Sequence, residues 1–322
     1  MTAYLTPEQL AQRTSDAVSA VVGAGRDLGL TVTDPRVLHD LFSVVVHLAP
    51  APVVARVPTV LPDSVTVDSV TARQRAELDV TRWLSEQGTP VLRPSPLVPC
   101  EPVQRDGLSI TFWEYVEERR GEEPDYVANA ESVPALHAAL RDYPGELEFL
   151  GAAEPPSLTA ALERLEESPD LISPHDLARA RDQWRVLEPI AASREAFERA
   201  YPGIGLQPIH GDSPPANVFS ALDGDRHADF ELVSLGPVEW DLAALGPELE
   251  AAYDRGARRV GTRELDRDVL AFVNAVGALR VVAALELVPK LPVLAGFLNP
   301  AVDQWRATPF TVDPPGPDRL SG

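Results

Sequence analysis

Positive charge is scarce in this chain. Over 322 residues, 28 Lys and Arg side chains stand against 49 Asp and Glu, a formal charge of -21. Nucleic-acid binding draws on clustered Lys and Arg that release condensed counterions, so this balance argues against a nucleic-acid partner and an anionic membrane surface. Lysine is almost absent: Lys290 is the sole example, and arginine carries nearly all the positive charge. The single cysteine, Cys100, excludes an internal disulfide. The polar start Met1-Thr-Ala-Tyr-Leu-Thr-Pro-Glu lacks the basic and apolar regions of a signal peptide, and a cytoplasmic protein is the expectation. Long apolar runs are missing too, since Arg, Glu, Asp or Pro interrupts each one, and no membrane span is expected. Aromatic content is only 6%, yet 44% hydrophobic and 24% charged residues place the chain among globular proteins, long enough for one large domain or two lobes.

The first half reads as mixed α and β. Leu41 to Leu48 and Pro52 to Val57 are short β-branched runs joined by Ala-Pro-Ala-Pro, which predicts a hairpin. Apolar residues at helical spacing from Val70 to Gln87, stopped by Gly88, predict a helix. Two extended pieces follow, around Leu97 to Val103 and Leu108 to Val116, divided by Arg105-Asp-Gly. The charged, core-less stretch after Glu117 marks a lobe boundary, placing one lobe at 1–116 and a second at 117–308. The second lobe reads as mainly helical, over Val127 to Leu140, Leu158 to Glu167, Pro174 to Ala200 and Arg263 to Val288. Ser173 is the N-cap of the third of these, and Pro174 its first residue. Short strands are expected at Leu206 to Ile209 and, around a Leu-Asp-Gly-Asp turn, within Ala216 to Phe230. Pro309 to Gly322 reads as a loose tail.

The chemistry concentrates between Ile209 and Ala243. His210-Gly-Asp212 with Asn217 has the spacing H-x-D-x4-N, and Asp229 follows within Ala-Asp-Phe-Glu231. Phosphoryl transfer needs one carboxylate to orient an attacking hydroxyl and accept its proton, plus an amide oxygen and a second carboxylate to hold magnesium against phosphates. Asp212 suits the first role, and Asn217 and Asp229 the others. His210 has no proton to move in such a mechanism and reads as scaffold; Asp241, beside Trp240, reads as a cap for backbone amides. A hydrolase reading with Ser213 as nucleophile lacks a downstream histidine, because none follows His227.

With Gly236-Pro-Val-Glu-Trp-Asp241-Leu-Ala added, these blocks resemble the aminoglycoside phosphotransferase and choline kinase group of small-molecule kinases. The resemblance implies an α+β, two-lobed, protein-kinase-like fold, sheet-rich at the N-terminus and mainly helical beyond. It also implies ATP or GTP and Mg2+ as cofactors and a small-molecule hydroxyl as acceptor. Val53-Val-Ala-Arg-Val looks like the family's third strand, and Leu136-His-Ala-Ala-Leu like the helix joining its lobes. Trp113-Glu114-Tyr-Val116 would form the hinge, with Glu114 and Val116 near the purine.

The sequence departs from the pattern in three places. Pro214 stands where a histidine is usual; no glycine-rich loop precedes the strands, so that only Ser43 could reach a phosphate from that turn; and the strand lysine is replaced by Arg56. Arginine keeps its charge and forks onto phosphate oxygens. Arg56 is therefore either the phosphate anchor, partnered by Glu77 of the following helix, or a solvated strand residue while Glu77 pairs with Arg73. A degenerate, non-catalytic nucleotide-binding protein is the competing class. The charge of -21 and the carboxylates Glu239, Glu248, Glu250 and Asp254 suggest a cationic, amine-bearing acceptor. Oligomeric state has no signature in the sequence.

Overall fold

The computed structural model describes residues 3–121, 123–150 and 154–312. Its first helix, α1 (Pro7–Asp27), opens with a capping box: the Thr6 hydroxyl accepts from Gln9 N, the Gln9 side chain accepts from Thr6 N, and Pro7 takes the first helical position. The strands β1 (Val32–Asp40), β2 (Ser43–Pro50), β3 (Val53–Pro58), β4 (Val103–Arg105) and β5 (Leu108–Glu114) form one antiparallel sheet in the order β1-β2-β3-β5-β4. Its two faces diverge because side chains alternate. Val44, Val46, Leu48, Ala55, Val57 and Ile110 pack against Ala17, Ala20, Val21 and Ala24 of α1. The other face carries Val45, Val54, Arg56 and Trp113, which line a cavity. Between β3 and β4 runs α2 (Val67–Glu86), capped by Thr66.

The predicted hairpin and helix therefore form, with shifted ends. Helix α1 and strand β1 have no counterpart in the sequence reading. The Thr6-Pro-Glu-Gln capping box was a usable signal for the helix, whereas β1 holds Pro35 and an exposed, mixed pattern that hides it. Of the extended piece around Leu97 to Val103, only Val103 enters a ladder; Pro96, Pro99 and Pro102 supply no N–H to one.

The remainder is helical around short hairpins. In chain order it comprises α3 (Tyr126–Leu140), α4 (Glu154–Arg164), α5 (Pro174–Ala191), α6 (Arg194–Ala200), β6 (Gln207–Ile209), β7 (Val218–Ala221), β8 (Gly224–His227), β9 (Ser234–Gly236), α7 (Pro247–Val260), α8 (Arg267–Ala283) and α9 (Leu294–Ala307). Strands β6 and β9 pair, as do β7 and β8. The helix expected over Pro174 to Ala200 is two helices, because Ser193 leaves the α-region and caps α6 through Ala196 N. Helices α3 and α7 approach closely at Gly256, where a Cβ would lie 2.1 Å from Glu131 O. The core gathers Trp184, Leu187, Phe197, Tyr253, Phe272 and Val276 from these helices.

One expectation needs correcting. The helical segment Arg267–Leu287 is long and apolar enough, by length and composition, to cross a membrane. Its apolar residues Phe272, Val273, Val276, Leu279 and Val282 are buried against the other helices, so its hydrophobicity is that of a core helix. The sequence reading saw no such stretch because Arg267, Asp268 and Arg280 punctuate it. The tail expected from Pro309 lies, from residue 313 onward, outside the described residues.

Candidate active site

The cavity, about 730 Å³, lies between the sheet and the β7–β8 hairpin, with Trp113 to Glu118 along one side and Phe219, Ala228 and Asp229 opposite the sheet. Arg56 projects into it from β3. One arm of its guanidinium bonds Glu77 of α2 and the other Asp229, while Glu231 stands 3.6 Å away. Glu77 is 1% exposed. Of the two readings of this pair, the structure shows the inward one: Glu77 faces Arg56, so helix, sheet and the Asp229 segment meet at one cation. Trp113 lies beneath the guanidinium, ring centroid 5.9 Å away.

Three carboxylates around one guanidinium cannot all remain comfortably charged. Burial lifts the Glu77 carboxyl to about 8 against the pull of Arg56, with Asp229 and Glu231 adding to the rise. Burial likewise lifts Glu231 to about 7, and Asp229 and Asp212 push it the same way. Burial opposes the charge of Arg56, but the attraction of Glu77, Asp229 and Glu231 overrides it and keeps the guanidinium protonated. Folded Glu77 thus binds a proton over a pH range where the unfolded chain, near 4.5, has lost it. Its contribution to stability is present below about 4.5 and disappears as pH rises through about 8. Thermal unfolding without divalent ions should show a midpoint falling by roughly 2 °C per pH unit across that window. In Glu77→Gln the fall should be flattened, and an unchanged slope would remove Glu77 as its cause.

The Asp212 loop is built from backbone contacts. Gly211 has φ 89°, and a Cβ there would sit 1.8 Å from Leu232 O, so glycine is required. The carboxylate of Asp241 accepts from His210 N at 2.9 Å and Gly211 N at 2.7 Å, and is 2.8 Å from His137 Nε2. Asp241 does cap amides, but those of the loop rather than of its own helical turn. With Nε2 donating to Asp241, His137 Nδ1 accepts from the Tyr253 hydroxyl at 3.0 Å. His210 is fully buried; its Nε2 donates to Ala228 O at 2.8 Å, tying the loop to the Asp229 segment, as expected of a scaffold residue. The Asp212 side chain is left 40% exposed, with Arg280 of α8 3.8 Å from its Oδ1. Asn217 donates Nδ2 to Asp212 O at 2.6 Å, which turns its amide oxygen outward from that bond.

Oxygen donors of this kind suit Mg2+. Asn217 offers an amide oxygen, and Asp229 and Glu231 bring carboxylates in excess over their one cationic partner. Among the described residues no three His, Cys, Asp or Glu side chains gather in metal-binding geometry, so the other positions around an ion would fall to phosphate oxygens and water.

The remaining expected residues are placed unevenly. Glu114 and Val116 line the cavity. The amides of Glu114 and Tyr115 are given to Arg93 O and Pro52 O. Ser43 is not among the lining residues. Its hairpin tip turns toward the end of β3, where Phe42 O accepts from the amides of Thr59 and Val60. The carboxylates taken as an acceptor-binding cluster are largely consumed internally. Glu239, fully buried, binds Arg263 and Asp266 N; Asp254, 4% exposed, binds Arg267 and Leu265 N; Glu250 accepts from Asn274 Nδ2. Only Glu248 is exposed. Glu231, His137 and Arg280 join the site without having been singled out; Glu231 was legible in Ala-Asp-Phe-Glu, whereas the other two are brought in by α3 and α8.

A profile described as the phosphotransferase enzyme family (APH) matches residues 9–277. No curated protein sequence matches the chain. Among solved structures, amicoumacin kinase hAmiN in complex with AMP-PNP, Ca2+ and Ami is 15% identical at a TM-score of 0.61, over 94% of this chain and 98% of that one. The GDP and kanamycin complex of APH(2")-IIia is 13% identical at 0.58, over 90% and 96%. Choline kinase from Cryptosporidium parvum Iowa II is 13% identical at 0.55, over 89% and 94%. The fold they share is the two-lobed kinase-like α+β architecture.

Proposed function

The chain belongs to the APH phosphotransferase enzyme family, whose members act on small molecules, and on that premise we propose that it moves the γ-phosphoryl of ATP or GTP to a hydroxyl of a small molecule. One observation carries the reading: Glu77, Arg56 and Asp229 are linked at the edge of a nucleotide-sized cavity, next to the loop that presents Asp212. In the proposed reaction the acceptor oxygen attacks the γ-phosphorus in line, its proton passes to the Asp212 carboxylate, and the nucleoside diphosphate leaves. Arg56 holds Asp229 in place and offers positive charge to the phosphates. Asn217 and Asp229, with Glu231 beside them, would hold Mg2+, which when bound neutralises the triphosphate's charge. Asp241 and His137 keep the loop in shape without touching substrate.

The acceptor is identified by its hydroxyl rather than by its charge. Three of the four carboxylates that suggested a cation are bonded to arginine, asparagine or backbone amides, and the cation of Arg280 stands beside the base. Transfer of label from γ-labelled ATP and GTP should be measured over amines, neutral sugars and hydroxy acids, at low and high ionic strength. Magnesium-dependent transfer to at least one hydroxyl compound is the expected result. A KM that rises with salt only for amine-bearing acceptors would restore the cationic reading. Nucleotide binding without transfer to any of them would favour the degenerate, non-catalytic alternative.

A further inference from the structure

The proposed reaction places a triphosphate under a hairpin that has no glycine to cradle it, and the structure supplies a different contact. The register of β1 against β2 slips between Val37, opposite Val46, and His39, opposite Val45, so Leu38 is an extra residue in a β-bulge. Opposed residues on antiparallel strands share a face. Val44 and Val46 are fully buried toward α1, whereas Val45 lines the cavity. An unbulged β1 would set His39 opposite Val44, facing the helix; the bulge sets it opposite Val45, facing the cavity. The next residue confirms the phase: Asp40, opposite Val44, bonds Arg13 and Thr14 of α1.

His39, Val45 and Arg56 therefore form one cross-strand row, and all three line the cavity that Asp229 also lines. Arg56 is already shared among carboxylates, and Arg120, the other lining cation, lies 3.6 Å from Glu118. Among the described residues His39 has no hydrogen-bond or ion-pair partner, and it is exposed to the cavity.

We infer that His39 contacts the phosphate chain of the bound nucleoside triphosphate, doing with a ring N–H what backbone amides of a glycine-rich loop would otherwise do. The inference rests on the phosphotransferase reading. Calorimetric titration of the full chain with MgATP, MgGTP, adenosine and guanosine separates phosphate from base. His39→Ala should weaken binding of the accepted triphosphate roughly fivefold to thirtyfold and leave nucleoside affinity unchanged. His39→Arg, which keeps N–H donors at the same place, should restore triphosphate affinity to within about threefold. Unchanged triphosphate binding in His39→Ala, or a parallel loss of nucleoside and triphosphate, would overturn the assignment while leaving the proposed function standing. A wild-type chain that binds neither triphosphate would overturn both.

Discussion

Asp212→Asn is expected to lower kcat by at least about a hundredfold while leaving nucleotide affinity near the wild-type value. The amide is isosteric with the carboxylate, so the loop, whose shape depends on Asp241 binding the amides of His210 and Gly211, should persist. What disappears is the carboxylate proposed to take the acceptor's proton. Asp212 bonds Asn217 through its backbone carbonyl, which the substitution does not touch. The contact of Arg56 with Asp229, the proposed nucleotide anchor, is likewise undisturbed. Steady-state kinetics with any acceptor found in the screen, paired with titration of the nucleotide alone, reads both quantities. Full activity in the variant would move the base elsewhere, and an equal loss of binding would show that Asp212 holds nucleotide instead.

Arg56→Ala should be costly in two separable ways. Removing the guanidinium leaves the Glu77 carboxyl, 1% exposed and holding its proton up to about 8, without its hydrogen-bond partner, a loss of about 1–3 kcal/mol. For a chain of this size that is a fall in melting temperature of roughly 2–4 °C. Asp229 also loses the contact that orients it, and nucleotide KM should rise about tenfold or more. The double variant Arg56→Ala with Glu77→Met separates the two effects, because it removes the unsatisfied buried polar group along with its partner. Stability should recover in large part and the KM defect should stay. Arg56→Lys should fall between, since a single ammonium cannot reach Glu77 and Asp229 with two arms. Recovery of KM together with stability in the double variant would return Arg56 to a purely structural role.

The features legible in the sequence were those held by local chemistry. H-x-D-x4-N needs its histidine, glycine and aspartate consecutive, because the ring, the turn and the carboxylate occupy one loop; Ser173-Pro174 announces a helix start by capping alone. The pairing of Arg56 with Glu77 was half legible. Helical spacing put Glu77 on a face with Val80 and Leu84, but whether that face pointed at the strand or at solvent depended on how α2 packs.

Composition by itself determined an acidic globular chain, and the motif blocks around Asp212, Asn217 and Asp229, through the family they resemble, its kinase-like phosphotransferase class. Only the tertiary structure decided what the remaining charges do. It spent Glu239 and Asp254 on arginine and amide contacts, carried Arg280 from a core helix to the side of Asp212, left Ser43 outside the cavity lining, and through one extra residue in β1 rotated His39 into it. The physical reason is the same in each case. A carboxylate or histidine has one identity in the chain, but its partner is set by strand register and helix packing, which depend on residues tens or hundreds of positions away.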